Sequence, residues 1–436
     1  MAEIEWSDLG DRTFPSRRPR CLMISFLCIF LSPLVAWILA GSPAAAQTDS
    51  APPKPYASIN RDAVRYFGPG RGAAYDLAGN SVTIGIMLPL EGERTAEGRM
   101  LLQAAQLALE EEAANPLPDG RRLQLAVGDE SGPWGQASNE IVRLIIEAHA
   151  VALITSAGGN IAHQAEQVSN KVGIPILTPS SDATTTETNI PWIFRLGPSD
   201  SDQAQAFARE IYRERGLSRV LLIFETDHDG RVGSEAFEKA GQRLRAPPPH
   251  AFAIPSSSRD ARSVGAEIDA RNPEAVVLWT GPQSASELLP FIRRKKPHVP
   301  VYLCSNAAQL VSSGASESPI APFASGERNV QEIWVAVSSG GSEDVRREFE
   351  RHFRERAGMA PSIAAAQAYD AVHVIAAALR RAGPNRARLR DLLAAGTENP
   401  GASGLISFDS AGNIRGDVVV VKLQDSFRRD LDSAVQ

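Results

Sequence analysis

From residue 81 onward the chain alternates between short apolar runs and longer segments in which apolar residues recur every three or four positions. The first run, residues 81–88, places Val82, Ile84 and Leu88 among residues that are not polar enough for a solvent-facing surface. This run predicts a strand that is buried on both faces, as in parallel sheets covered by helices. The next segment predicts a helix, because its apolar residues have helical spacing: Met100, Ala104, Leu107 and Ala108.

The same pattern continues in two series of similar length and order. In the first series the further predicted strands are RLQLAVGDE, VALITSA and GIPILTPS, with helices at Ala137 to His149 and Ile161 to Lys171. In the second series the strands are SRVLLIF, HAFAI, AVVLW and VPVYLC, with helices at Gln203 to Glu214, Gly233 to Leu244, Ala261 to Arg271 and Ser284 to Arg294. Strands that alternate with helices predict parallel βαβ units. Two α/β lobes of roughly 120 residues each fit the usual size of a domain.

The C-terminal part of the chain does not predict a third lobe. A strand in EIWVAV, a helix from Asp344 to Arg356 and a long helix through Ala368 and Leu379 are expected to complete the first lobe, and GLISFD and DVVVVKL predict two more strands. The predicted bounds are residues 81–197 and 336–402 for lobe I, and residues 198–335 and 403–436 for lobe II. We therefore predict an α/β fold of two Rossmann-like lobes with parallel sheets, joined by a multi-crossover hinge beside a closing cleft.

Residues 1–46 predict an export signal. An arginine-rich segment precedes the apolar residues 21–40, and Ala44 and Ala46 supply the small side chains that signal peptidase needs. If it is not cleaved, this stretch is almost long enough to span a bilayer, so a retained membrane anchor is the alternative. Residues 47–80, rich in Pro, Gly and Ala, predict an extended arm. The body of the protein is therefore expected in the periplasm.

Composition and charge narrow the function further. The chain of 436 residues is 43% hydrophobic and 22% charged, as in soluble globular proteins, and its formal net charge of -6 gives no reason to expect nucleic acid as a partner. Cys21 and Cys28 lie in the apolar N-terminal segment, which leaves Cys304 alone in the body. No intramolecular disulfide is therefore expected in the mature fold.

Sequence signatures of catalysis and of metal or cofactor binding are missing. The chain has no Gly-x-Ser-x-Gly elbow, no Walker sequence and no GxGxxG after a strand, and its seven histidines are scattered without the spacing of a metal site. Ser180 and Asp182 have no histidine in register, which favours a turn over a catalytic pair. The sequence therefore predicts that the protein is not an enzyme and that it has neither a cofactor nor a metal site.

Five segments together resemble the type I periplasmic solute-binding proteins, and within them the branched-chain amino acid receptors of ABC importers. They occur in the order of that family between about residues 80 and 425: LPLEGERTAEGRMLLQAAQLALEE, IPILTPSSDATTTE, TDHDGRVGSEAF, PSIAAAQAYDAVHVIAAAL and GLISFDSAGN. The resemblance implies two Rossmann-like lobes, three crossovers between them and a ligand held in the cleft.

The resemblance also implies ligand-binding positions in two loops of the first lobe, one after strand three and one after strand four. In the family these loops give hydroxyl and backbone N–H groups to a ligand carboxylate, and helix starts carry the partial positive charge that suits an anion. The alternative is that the polar side chains of these loops cap helices, which is compatible with ligand binding. The positions are Ser156, Gly158, Gly159, Asn160, Ser180, Ser181 and Asp182.

Two positions depart from the family pattern. Asp229 stands where the family has an aromatic ring, and Ser284 stands where amino acid receptors have an acidic residue for the ligand's ammonium group. Because an unpaired ammonium is costly to bury, Asp182 or Asp229 is expected to take that role for an amino acid ligand. Trp134 and Glu91 are expected near the cleft, with packing of a loop and plain exposure as their alternative roles.

These observations predict an extracytoplasmic solute-binding receptor. It is expected to act as a monomer that closes on a small polar metabolite, an amino acid or a related small organic molecule, and delivers it to an inner-membrane ABC permease. The alternative is a periplasmic sensing domain of the same fold that feeds a signalling partner. Ligand binding would shift the open-to-closed equilibrium by the ligand's preference for the closed state.

Overall fold

A computed structural model describes most of the chain after residue 78: residues 66, 68–72, 79–133, 135–188, 190–256, 261–309 and 332–423. The predicted export signal and residues 47–65 of the predicted arm lie outside the described residues. Within the described residues, no helix combines the length and the apolar character needed to cross a bilayer.

The first sheet has five parallel strands in the order β2-β1-β3-β4-β5. They are β1 (Ser81–Leu88), β2 (Arg122–Asp129), β3 (Ala152–Ile154), β4 (Ile176–Thr178) and β5 (Ile193–Arg195). Its connecting helices are α1 (Thr95–Glu112), α2 (Gln136–Ile146), α3 (Gly159–Val172) and the short α4 (Thr184–Glu187), and a 3-10 turn at Gly92–Arg94 precedes α1. Strand β1 is buried from Val82 to Leu88, as its continuous apolar run predicts.

The second sheet has six strands in the order β13-β10-β9-β8-β6-β7. They are β6 (Val220–Glu225), β7 (His250–Ile254), β8 (Ala275–Trp279), β9 (Val301–Leu303), β10 (Ile333–Ser338) and β13 (Val418–Lys422). Only β13 pairs antiparallel within this sheet as described. The helices beside it are α5 (Asp200–Ala208), continued by a π-helical segment at Arg209–Glu214, α6 (His228–Arg243), α7 (Ala261–Arg271) and α8 (Pro282–Lys295).

The C-terminal helices pack on the first sheet. They are α9 (Glu343–Ala357), α10 (Ile363–Ala382) and α11 (Arg386–Leu393), followed by the small hairpin of β11 (Asn399–Pro400) and β12 (Leu405–Ile406). Phe353 of α9 and Val372 of α10 share a core with Val82 and Ile84 of β1. A second core covers the opposite face of the first sheet, and a third surrounds the second sheet. We refer to each sheet with the helices packed on it as the first and the second lobe.

The structure confirms the predicted α/β class and the parallel-dominated sheets. The described chain passes between the lobes three times: between β5 and α5, between β10 and α9, and before β13. The exact lobe bounds remain a prediction.

Three elements differ from the sequence pattern. The EIWVAV strand, expected in the first lobe, is β10 of the second sheet. Residues 405–414, expected in the second lobe, contact the first, where Phe408 joins the core and Arg195 N–H donates to the Gly412 carbonyl. Strand β5, which was not predicted, has only three residues. A strand of three residues is defined by its pairing with neighbouring strands, and the pattern of apolar residues along the chain does not show that pairing.

Candidate functional site

The carboxyl ends of strands from both sheets border a cavity of about 370 Å³. In open α/β sheets this is where ligands bind, because loops and helix starts leave polar groups there. The wall from the first lobe includes Arg94 after β1, Glu130 after β2 and Gly158 before α3. The wall from the second lobe includes Glu225 at the end of β6 and Asp229 in the first turn of α6.

Arg94 organises the first wall. Its guanidinium donates to both carboxylate oxygens of Glu97, at 2.9 and 2.8 Å, and to Oε1 of Glu130 at 3.1 Å. The Ser156 hydroxyl donates to the same Glu130 oxygen at 2.6 Å and accepts from Arg94 at 3.3 Å. The Glu97 and Glu130 side chains are only 1% and 5% exposed, so Arg94 supplies the positive charge that such buried carboxylates need.

Glu130 keeps one oxygen without a bond. Its Oε2 is buried and has no hydrogen-bond partner among the described residues. Burial raises the pKa of the Glu130 carboxyl to about 7, although Arg94 and Ser156 act in the opposite direction. Since Glu130 lines the cavity, a hydrogen-bond donor placed there would complete its pairing.

Asp229 faces the first lobe from the second. Its Oδ2 accepts the Gly159 N–H at 3.1 Å, whereas Oδ1 is buried and unpaired within the part of the chain that the structure describes. Burial raises the pKa of Asp229 to about 6, against the bond from Gly159. Position 159 has no room for a side chain, because a Cβ there would lie 2.4 Å from Asp229 Oδ1 and 2.9 Å from Asp182 Oδ2. Glycine thus permits the close approach of the two lobes.

Glu225 anchors the start of α8 beside the cavity. It accepts the Gly281 N–H at 2.8 Å and the Ser284 hydroxyl at 2.5 Å. Gln283, next to Ser284, donates across the cleft to the Glu93 carbonyl at 2.5 Å. Together with the bond from Gly159 to Asp229, this contact joins the two lobes at the cavity.

The charge of the wall is predominantly negative. Among the described residues that line the cavity, Arg94 carries the positive charge, and the carboxylates are Glu93, Glu130, Glu225, Asp227 and Asp229. The start of α3, where Gly158 is the N-cap residue, adds partial positive charge on the first lobe, part of which the Asp229 carboxylate meets through the Gly159 N–H. The cavity therefore suits a ligand with nitrogen donors at one end and a small anionic group at the other.

The predicted site residues fall into two groups. Those that line the cavity are Gly158, Asn160, Asp229 and Ser284, with Gly159 directly against Asp229. Those whose polar groups bond within the protein are Ser156, Ser180, Ser181 and Asp182. Glu91 is exposed and donates its N–H to Ser131, between the cavity-lining residues Glu130 and Gly132, and Trp134 lies outside the described residues. Ligand contact by any of them remains a prediction.

The sequence pattern did not single out several residues that the fold brings to the cleft. Glu130 and Glu225 each lie at or just after the end of a predicted strand, and Arg94 ends the loop between the first predicted strand and helix, so position beyond a strand end was the signal that could have found them. His163 and His228 carried no such signal, because they are scattered in the sequence. In the fold both reach Asp182, and these three side chains could hold a metal ion, although the sequence predicted no metal site.

Comparisons with known proteins show what the chain is similar to. A leucine-binding protein from Thermotoga maritima is 21% identical, with a TM-score of 0.67 over 78% of this chain and 94% of that one. A branched-chain amino acid transporter substrate-binding protein from Streptococcus pneumoniae, solved with isoleucine, is 19% identical, with a TM-score of 0.66 over 78% of this chain and 96% of that one. A solute-binding protein of an ABC transporter from R. palustris, solved with benzoate, is 17% identical, with a TM-score of 0.68 over 79% of this chain and 93% of that one.

These structural neighbours share the type I periplasmic binding fold with this chain. No curated protein sequence matches it. The sequence profile of the periplasmic binding protein family matches residues 81–427, which is most of the chain. The chain therefore belongs to the periplasmic binding protein family.

Proposed function

We propose that this protein is a solute receptor that binds a small zwitterionic or amide-bearing metabolite, such as an amino acid, and delivers it to an ABC permease. Its site of action is the periplasm, which the family and the export signal predicted at residues 1–46 both support. It works as a monomer whose two lobes enclose the ligand.

The observation that carries the proposal is the pair of incompletely bonded carboxylates in the cavity wall. Glu130 Oε2 and Asp229 Oδ1 are buried and without partners among the described residues. A buried acceptor that lacks a donor costs about 1–3 kcal/mol, and more when it is charged. An ammonium or amide group bound between the lobes would remove this cost on both sides of the cleft.

The opposite end of the ligand has its own complement. Gly158, at the start of α3, lies against the Arg94 guanidinium, so a carboxylate or amide oxygen placed there would meet both positive partial charge and N–H donors. The structural neighbours were solved with ligands that differ in their nitrogen donors: the streptococcal protein with isoleucine, which has an ammonium group, and the R. palustris protein with benzoate. Benzoate has no nitrogen donor, so the acidic wall of this protein favours ligands of the first kind.

Thermal unfolding and calorimetric titration against amino acids, their amides and aromatic carboxylates test the proposal. We expect at least one nitrogen-bearing ligand to bind, and aromatic carboxylates without nitrogen to bind at least tenfold more weakly. The variant Glu130→Gln should weaken binding, because an amide cannot pair with an ammonium as a carboxylate does. Glu235→Gln, on the exposed face of α6, is the matched control. Binding of benzoate but of no nitrogen-bearing compound would contradict the ligand class.

Delivery to a permease requires a separate measurement. Ligand-loaded protein should stimulate ATP hydrolysis by the cognate importer in proteoliposomes, and unloaded protein should stimulate it less. Tight ligand binding without any effect on such an importer would contradict the transport role and leave ligand sensing as the function of the same cleft.

A further inference from the structure

Three side chains from both lobes converge beside the cavity. His163 lies on α3, Asp182 in the loop after β4, and His228 is the first residue of α6. Asp182 Oδ2 lies 3.0 Å from His163 Nε2 and 2.8 Å from His228 Nε2, and all three ligand atoms lie within 4.8 Å of one another. We propose that these residues form a binding site for a divalent transition-metal ion such as Zn²⁺, shared between the two lobes.

The donor set and its spacing fit such an ion. Two imidazoles and one carboxylate are typical ligands of Zn²⁺, which binds nitrogen and oxygen at about 2.0–2.2 Å in tetrahedral geometry. Tetrahedral geometry at those bond lengths separates neighbouring ligand atoms by roughly 3.3 Å. The observed separations of 3.0 and 2.8 Å need only small outward shifts to admit the ion. The side chains of His163 and His228 are 27% and 35% exposed, which leaves a path for the ion and a water as fourth ligand.

Neighbouring groups orient the ligands. His163 Nδ1 lies 3.0 Å from Oε2 of Glu166, whose side chain is 3% exposed, so Glu166 would accept the Nδ1 proton when Nε2 binds the ion. A carboxylate on the distal nitrogen is the usual arrangement for a histidine that binds metal. Asp182 Oδ1 accepts from the Thr184 N–H at 2.9 Å and from its hydroxyl at 2.7 Å, which leaves Oδ2 for the ion.

The negative charge of the carboxylates around the three ligands favours the binding of a cation. Asp182 and Glu166 are both buried carboxylates, and the Asp229 carboxylate adds a further negative charge beside Gly159. A divalent ion would balance part of this negative charge and would bind both imidazoles directly.

A shared ion has a structural consequence. His163 and Asp182 belong to the first lobe and His228 to the second, so the complete ligand set exists only when the lobes are as close as they are here. The ion therefore favours the closed arrangement by its affinity difference between the two states. This effect does not depend on an organic ligand in the cavity.

The first experiment is a Zn²⁺ titration of the chelator-treated protein against a chromophoric competitor. We expect one ion per chain, and a loss of affinity of at least about 100-fold in His163→Ala and in His228→Ala. Glu166→Gln should weaken binding by about 10- to 100-fold, because it removes the carboxylate that orients His163. His298→Ala, which changes an exposed histidine of the second lobe, is the control and should bind as the wild type does. Circular dichroism verifies that each variant is folded.

The second experiment is small-angle X-ray scattering with and without Zn²⁺, in the absence of organic ligands. The radius of gyration should decrease on addition of Zn²⁺ in the wild type and in His298→Ala, and should not change in His228→Ala. The Co²⁺-loaded wild type should show the visible absorption of a tetrahedral site. The site would be overturned if the wild type bound Zn²⁺ more weakly than millimolar, or if His163→Ala and His228→Ala bound Zn²⁺ as tightly as the wild type does. A radius of gyration unaffected by the bound ion would overturn its role between the lobes.

Discussion

Asp370 of α10 is buried, and the cleft carboxylates of Glu130 and Asp229 each have an oxygen that is shielded from water, but the three differ in how their oxygens are bonded. Asp370 accepts the Ala402 and Ser403 N–H groups, each at 2.8 Å, and the Ser403 hydroxyl at 2.6 Å. Both of its oxygens are therefore satisfied by the chain itself. Glu130 and Asp229 each keep one oxygen that has no partner among the described residues.

A raised pKa alone therefore does not distinguish a structural carboxyl from one that is proposed to bind a ligand. Burial raises the pKa of Asp370 and of Asp229 to about 6 in both cases. What differs is the completeness of hydrogen bonding, and with it the expected effect of mutation. Removal of Asp370 leaves donors unpaired, whereas neutralisation of Asp229 removes a charge that the described part of the chain leaves incompletely paired.

The largest expected effect on stability is that of Asp370→Ala. The Ala402 N–H, the Ser403 N–H and the Ser403 hydroxyl lose their acceptor, and we expect the free energy of unfolding to fall by about 3 kcal/mol. Urea denaturation measures this change. Asp344→Ala is the control, because its carboxylate is 91% exposed and should contribute less than about 0.5 kcal/mol. If Asp370→Ala lost less than 1 kcal/mol, the hydrogen bonds of Asp370 would not be what holds Ala402 and Ser403 against α10.

Asp229→Asn is expected to show the opposite pattern. The free energy of unfolding should stay within about 1 kcal/mol of the wild type, because the change removes a buried charge near Asp182 and Asp200. Affinity for a nitrogen-bearing ligand should fall by about 100-fold, since a desolvated charge pair is lost. Chemical denaturation and calorimetric titration of the same preparation measure both quantities. A variant that loses stability but keeps affinity would reverse the roles assigned to Asp229 and Asp370.

Glu111 and Glu112 differ from the cleft carboxylates because they have a cationic partner in His373. Despite burial, an ion pair with Glu111 and a hydrogen bond with Glu112 raise the pKa of His373 to about 9. Contacts with His373, Tyr369 and His352 lower the pKa of Glu111 to about 2, although burial acts in the opposite direction. A histidine whose pKa is raised in the folded state contributes its full stability below pH 6.5 and loses it as the pH rises towards 9.

We therefore expect the stability difference between the wild type and His373→Gln to shrink by on the order of 2 kcal/mol between pH 6.5 and 9.5. Denaturation curves of both proteins across this range measure the difference. A constant difference across the range would show that His373 is neutral in the folded protein.

The smallest expected effect is the pH dependence of ligand binding through Glu130. Because the pKa of Glu130 is about 7, a nitrogen-bearing cation should bind up to about tenfold more weakly at pH 6 than at pH 8. Glu130→Gln has no ionisable group at this position and should bind with much less dependence on pH. Calorimetric titration at both values measures this, and an equal slope in the two proteins would remove Glu130 from the recognition of the cation.

Much of the fold could be predicted from periodicity. Helix α7 and strand β8 have the predicted bounds, and the buried long helix α10 joins the first core as expected. Helix α6 begins five residues before the predicted Gly233, because Asp227 accepts the Gly230 N–H at 2.8 Å and caps the helix there. That earlier start makes His228 the first residue of the helix. A capping residue near a predicted helix start thus indicates the true start better than the first position of the apolar pattern does.

The candidate site was predictable only in part. Gly158, Asn160, Asp229 and Ser284 were expected in the cleft and line the cavity. The loop after β4 was expected to offer its polar groups to a ligand, yet Ser181 bonds to Asp200 and Asp182 to Thr184 and two histidines. Sequence position places such a loop at a strand end, but it does not determine which neighbours compete for its hydrogen bonds.

The amino-acid sequence by itself determined the alternation of strands and helices, the parallel sheets and the family, because burial on one or two faces leaves a periodic record along the chain. Tertiary structure alone decided which polar groups remain incompletely bonded and which distant side chains meet. His163 and His228 come together with Asp182 only because the two lobes approach each other at Gly159. Hydrogen bonds and metal–ligand contacts act over about 2–3 Å between residues far apart in the chain, and a linear pattern holds no measure of that distance.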